Sequence, residues 1–238
     1  MTPAEAQPRP TKNKVLLSLP NDEYERVSRH LELIHLEHNQ VLHEAEEPIR
    51  EVYFLNDTLV SILSLLSDGS TIEIGIVGRE GLSDTSALLG AEVSPHQSLV
   101  LIPGSAFRMK VAPFKEELKR GGAFQTILLR YASLLIAQIA QVSVCNSLHT
   151  IEERLARWLL TSASRMESDE LPLTQEFLSQ MLGVRRAGVT VAARTLQTAA
   201  LIKYNRGHIT ILDYEGLESA ACECYQNMKE EFRRYMQF

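Results

Sequence analysis

The sequence predicts an α+β chain: an N-terminal β-roll of jelly-roll-like type, one long central helix, and a C-terminal helical pair closed by a β-hairpin. Three observations carry this prediction. Between Leu31 and Val111, short runs rich in β-branched and aromatic residues alternate with turn signals. From Phe124 to Val142, apolar residues recur at three- and four-residue spacing. From Thr174 to Leu212, two short helical patterns joined at Gly183 run into two β-type segments joined by Asn205-Arg206-Gly207.

Taken in order, residues 1–14 are polar and Pro-rich with no apolar stretch, which predicts a disordered arm rather than a signal peptide and so a cytoplasmic protein. Residues 15–120 form the roll. Its strands are expected at Leu31–Leu36, Gln40–His43, Glu51–Leu55, Leu59–Leu65, Thr71–Val77, Ser98–Ile102 and Ala106–Val111, with Asp68-Gly69 as the clearest hairpin turn. Many short strands with Gly and Pro punctuation suit a small sandwich or roll. The central helix and a hinge occupy 121–148. The stripe Phe124, Leu128, Tyr131, Leu135, Ile139 and Val142 must be buried, and a dimer interface with a second copy is the economical expectation. Arg130, Gln138 and Gln141 interrupt this segment, so no membrane span is expected.

The C-terminal unit is expected over 149–238. A helix from about Thr150 to Met166 leads in, with Ile151, Leu155, Trp158 and Leu159 on one face. Thr174 is a good N-cap for a helix to Leu182, and Gly183 allows the left-handed residue of a tight helix–helix turn. The second helix starts near Arg185 and turns Val189, Ala192, Ala193, Leu196 and Ala200 inward. The tail from Asp213 reads as one acidic amphipathic helix.

Composition bounds the function. The chain has 238 residues, 45% of them hydrophobic and 23% charged, and a net charge of −6. That balance argues against a protein that coats nucleic acid indiscriminately. Locally the sign reverses: Thr174 to Leu212 holds Arg185, Arg186, Arg194, Lys203 and Arg206 against the single acid Glu176. Arg186, Ala187, Thr190, Val191 and Arg194 share one helical stripe, which fits the major groove of double-stranded DNA. Arg186, Thr190 and Val191 are the expected base-reading residues. Thr174, Gln175, Arg185, Arg194 and Arg206 are the expected backbone contacts, the last at the tip of a wing. The chain has no phosphate-binding Gly-rich loop, no Gly-x-Ser-x-Gly elbow and no His-Glu-x-x-His, so it is not read as an enzyme.

With these elements in place, LTQEFLSQMLGVRRAGVTVAARTLQTAALIKYNRGHITILD resembles the winged helix-turn-helix of the Crp/Fnr family of bacterial regulators, and IEERLARWLL resembles the helix before it. The resemblance extends from about Leu31 to Asp213. It implies a cyclic-nucleotide-binding-like sensor roll, a dimerising central helix and a palindromic operator with half-sites about 34 Å apart. RNA polymerase is an implied partner if the protein is an activator. A helix-turn-helix that serves protein interaction without reading DNA is the alternative.

The chain departs from the family pattern at several places. Arg186 carries over to the family's recognition helix, but Ala187 stands where a Glu is common and Val191 where a second Arg is. The operator is therefore expected to differ from the commonest one, with Val191 able to touch a thymine methyl. In the segment GREGLSDTSALLGAEVSPHQSL, Gly81-Leu82 and His96-Gln97-Ser98 fall where the family binds ribose and cyclic phosphate. No arginine is placed for the phosphate, so tight cyclic AMP binding is not expected. Three cysteines, Cys145, Cys222 and Cys224, exclude a four-cysteine cluster. Cys222 and Cys224 are expected to be packing residues that do not meet, and His30, His35, His38 and His43 ordinary strand and surface residues. No cofactor or metal is expected.

Overall fold

The structure, a computed structural model, describes residues 9–235. Residues 1–8, the larger part of the expected arm, lie outside the described residues. Residues 9–14 correct that expectation, because they are tied down. The Arg9 guanidinium donates to the carbonyls of Leu16, Leu17 and Leu19 at 2.7–2.9 Å. Asn13 is fully buried and donates to the carbonyls of Leu55 and Gly81 at 2.9 and 2.6 Å. A segment without apolar residues is ordered here because its polar groups satisfy buried carbonyls of the roll.

Two short helices that the strand pattern does not reveal come next, α1 (Lys14–Leu17) and α2 (Asn21–Ser28). The roll follows with β1 (Glu32–Leu36), β2 (Val41–His43), β3 (Glu51–Leu55), β4 (Leu59–Leu65), β5 (Thr71–Val77), β6 (Leu82–Ser83), β7 (Gln97–Ile102) and β8 (Gly104–Lys110). They make two four-stranded antiparallel sheets, β1-β8-β3-β6 and β2-β7-β4-β5. The expected last strand ends one residue early, since Val111 opens α3 (Val111–Lys119), whose first turn tolerates Pro113.

The central helix is α4 (Gly122–Leu148). Glu23 on α2 caps it, accepting from the amides of Ala123 and Phe124 at 2.9 and 2.8 Å where the helix is electropositive. The expected dimer face needs correction: Phe124, Leu128, Tyr131, Leu135 and Val142 are buried within the chain, and Ile139 packs against the roll core. Phe124 joins Phe54 and Phe114 in edge-to-face and tilted contacts. The open face of α4 carries Leu129, Ser133, Ile136, Ala140, Ser143 and Ser147, at alternating four- and three-residue spacing. Leu129 and Ile136 are 45% and 58% exposed, so the helix is apolar on two sides. By length and composition α4 is also apolar enough to cross a membrane, but 44% of its most apolar window is buried inside the chain, as in a core helix. Here that character serves the roll core on one side.

The C-terminal unit begins with α5 (Ile151–Met166), opened by a capping box between Thr150 and Glu153. Then come β9 (Glu170–Leu171), α6 (Gln175–Leu182), α7 (Arg186–Thr198), β10 (Ile202–Asn205) and β11 (His208–Ile211), with β9 completing a three-stranded sheet. The expected single tail helix is two, α8 (Tyr214–Ala220) and α9 (Cys224–Tyr235), and α9 packs back along α4.

A second core joins Trp158, Leu159, Leu178, Val189 and Ile209 of this unit to Leu59, Leu63, Ile76 and Leu101 on the outer face of the roll. Strands covered on both faces explain why Leu59–Leu63 is buried at every position, Ser61 included, without alternation. Polar groups cross the same junction. Glu73 on β5 accepts from Ser61 Oγ and from Trp158 Nε1, both at 2.7 Å. Arg165 on α5 pairs with Glu80 at 3.1 Å and donates to the Ile76 carbonyl. Arg79 donates to the carbonyls of Arg165 and Met166 at the end of α5.

Candidate nucleic-acid interface

α6 and α7 are set at a fixed angle by their turn. Thr174 caps α6, accepting from the Phe177 amide, and Gly183 ends it at φ +61, the left-handed conformation expected there. A Cβ at Gly183 would also come within 2.8 Å of Ile72 on β5, so the turn rests on the roll. α7 buries Val189, Ala192, Ala193 and Leu196, as its spacing predicts. Gly188 faces α5, where a Cβ would lie 2.9 Å from Ile151. Ala200 corrects the expected buried set: α7 ends before it, and Ala200 is exposed at φ +57 in the closing turn.

The opposite side of α7 is open. Arg185, Arg186, Thr190, Val191 and Arg194 are all exposed, Val191 by 60%. Among the expected contact residues only Gln175 is half-buried. Arg186 lies 4.0 Å from Glu176, and both side chains are about two-thirds exposed. Such a pair is worth at most about 1 kcal/mol and exchanges readily for a better acceptor. Thr190 Oγ1 lies 2.9 Å from Gln175 Oε1 and 3.0 Å from the Arg186 carbonyl, so α6 and α7 present their polar groups together.

The hairpin β10–β11 closes with Arg206 and Gly207 at φ +47 and +81, a two-residue loop with both residues left-handed. Its tip stands beside Thr174, since a Cβ on Gly207 would meet the Thr174 methyl at 3.4 Å. Arg206 is exposed there. The wing, the start of α6 and the open stripe of α7 thus form one continuous surface bearing Arg185, Arg186, Arg194 and Arg206. Tyr204, which the sequence reading did not single out, belongs to it. Its amide is held by Gln197 at 2.9 Å, and burial pushes its phenol up against the opposing field of Arg186. An aromatic in a hairpin is an ordinary strand residue by sequence, so only its neighbours reveal the placement.

His30, His35 and His38 are exposed and His43 is buried against Ser83 and Asp84; these four do not gather as metal ligands among the described residues. The cysteines correct the expectation that they would not meet. Cys222 lies between α8 and α9 rather than in a helix, and it approaches both Cys145 and Cys224.

Residues 153–220 match the Crp-like helix-turn-helix domain. No curated protein matches the chain in sequence. Solved structures share its fold. FixK2 from Bradyrhizobium japonicum is 15% identical, over 81% of this chain and 98% of that one, with a TM-score of 0.69. A CRP-family transcriptional regulator from Thermus thermophilus is 18% identical, over 79% of this chain and 96% of that one, at 0.66. The c-di-GMP-responsive global regulator CLP of Xanthomonas campestris is 13% identical, over 82% of this chain and 100% of that one, at 0.65.

Proposed function

We propose that this chain, which carries a Crp-like helix-turn-helix domain on the Crp/Fnr fold, is a sequence-specific transcriptional regulator that binds a palindromic operator as a homodimer. The observation that carries the reading is the open stripe of α7 flanked by the wing. Arg186 stands at the N-terminal turn of α7, where its fork can pair with guanine O6 and N7. Thr190 and Val191 follow one turn on, and Val191 suits a thymine methyl. Arg185, Arg194 and Arg206, with Thr174 and Gln175 at the start of α6, surround these positions as phosphate contacts.

The dimer is assigned to the open face of α4. Leu129, Ser133, Ile136, Ala140, Ser143 and Ser147 follow the alternating spacing of a coiled-coil seam, and the small residues allow close approach. The face through Phe124 and Leu128 is already occupied by the roll.

Cyclic AMP is not part of this reading. The buried arginines among the described residues are Arg154, Arg157 and Arg165, all on α5 and none inside the roll. Tyr131 also closes over Gly81-Leu82: its hydroxyl donates to the Leu82 carbonyl at 3.1 Å, and its ring fills the space a Cβ on Gly81 would take. Both features support a reading without cyclic AMP.

Selection of bound duplexes from a random pool by the full-length protein tests the proposal. An enriched inverted repeat with half-site centres one helical turn apart is expected. Failure to enrich any sequence would favour a helix-turn-helix used for protein contact alone.

A further inference from the structure

Away from the DNA-facing surface, four metal-ligating side chains converge where α4, α5 and the tail meet. Cys145 lies in the last turn of α4, His149 is its C-cap, Cys222 precedes α9, and Cys224 opens it. Their sulfur and ring nitrogen atoms all lie within 4.8 Å of one another. Cys145 Sγ is 3.4 Å from Cys222 Sγ, and Cys224 Sγ is 3.5 Å from His149 Nδ1. A tetrahedral ion with bonds of about 2.3 Å to sulfur sets its ligand atoms about 3.8 Å apart, so the side chains need only small adjustments.

Buried thiols are often mere packing, but the surroundings here argue otherwise. The three cysteines form a cluster of their own, with no buried aliphatic or aromatic side chain in it. Polar groups point at the sulfurs instead: Arg157 Nε donates to Cys145 at 3.2 Å and Gln141 Nε2 to Cys224 at 3.0 Å. Arg157 is itself buried, and its other hydrogen bond goes to the Met228 sulfur. Among the described residues Arg157 makes no ion pair with a carboxylate, and beside three neutral thiols its charge is poorly compensated. Beside three thiolates and a divalent ion, which together carry one negative charge, it is paired. The remaining nitrogen of His149, Nε2, faces the Glu223 carboxylate at 3.2 Å, the outer contact that orients a metal-bound imidazole.

We propose that Cys145, His149, Cys222 and Cys224 hold a zinc ion in a closed tetrahedral site that clamps the C-terminal tail to the end of α4. Three thiolates and one imidazole in a buried, four-ligand arrangement select zinc over oxygen-preferring ions, and the absence of an open position makes the site structural. Binding releases the thiol protons and changes no oxidation state. The site is independent of whether α7 reads DNA. It joins the helix that carries the proposed dimer face to the unit that carries the recognition helix, so an occupied site fixes the hinge at Ser147–Thr150.

The test uses the full-length protein, reduced, incubated with Zn2+ and freed of excess metal. One zinc per chain by mass spectrometry of metals is expected, with all three cysteines protected from a thiol reagent. Co2+ in place of Zn2+ should give thiolate-to-cobalt charge-transfer absorption and tetrahedral ligand-field bands. Cys224→Ser and His149→Ala should each weaken Zn2+ in chelator competition by more than about 10-fold, and Glu223→Gln, an exposed substitution that spares folding, by about 10-fold. Zinc well below one per chain with reactive thiols would overturn the proposal, as would a Cys145–Cys222 disulfide recovered in place of metal.

Discussion

Trp158 on α5 donates its indole N–H to Glu73 on β5 at 2.7 Å, inside the junction where the C-terminal unit meets the roll. Glu73 is buried, and burial pushes its carboxyl up to about 7 against the hydrogen bonds from Ser61 and Trp158 and the fields of Arg157 and Arg165. A raised folded-state value for an acid favours the protonated form. Its contribution is complete below the ordinary value of 4.5 and is lost as pH rises toward 7. Relative to Glu73→Gln, which cannot ionise, the native protein should lose on the order of 3 kcal/mol of stability over that window. Denaturant unfolding of both proteins across that pH range measures the difference, and parallel curves would refute it.

Removing the donor is a separate test. Trp158→Phe keeps much of the apolar packing but leaves one Glu73 oxygen without its partner, at a cost of about 1–3 kcal/mol. Thermal unfolding below pH 6 should show a smaller loss than above pH 7, since the protonated acid tolerates a missing donor better.

The two sides of α4 should separate cleanly. Ile136→Glu places a charge on the open stripe and should yield a folded monomer by analytical ultracentrifugation. Leu135→Ala, one residue away, empties a site in the roll core and should cost about 2–5 kcal/mol while the protein still dimerises. A monomeric Leu135→Ala protein of native stability would reverse the assignment of faces.

Arg206 sits at a left-handed φ of +47 that asparagine adopts more easily. Arg206→Asn should therefore preserve or slightly raise stability while removing one phosphate contact. The slope of log affinity against log salt should become shallower by about one. An unchanged slope would take Arg206 off the interface.

The roll was legible because it depends on short-range signals. Asp68-Gly69 turns between two apolar runs, and β4 and β5 fall at the residues their pattern marks. The helical pair was legible for the same reason, with Thr174 and Gly183 as its punctuation. What escaped was set by distance along the chain. Cys145 and Cys222 are 77 residues apart, and nothing local to either announces the other. Periodicity identified the more apolar side of α4 but could not tell that Phe124 would meet Phe54 and Phe114 of its own roll. The weaker stripe through Leu129 and Ile136 is the one that stays open. Arg9 and Asn13 look like solvated chain by composition, and only the carbonyls they reach explain their order.

In the proposed function, α7 reads duplex DNA through Arg186. The most direct measurement is equilibrium binding of the full-length protein and of Arg186→Ala to the selected duplex and to a scrambled one, across a range of salt. A steep negative salt slope is expected for both proteins, with a loss of about 1–3 kcal/mol for Arg186→Ala confined to the selected duplex and relaxed preference at one base pair per half-site. Weak binding that ignores salt, or an Arg186→Ala protein that binds the selected duplex as tightly as the native one, would contradict it.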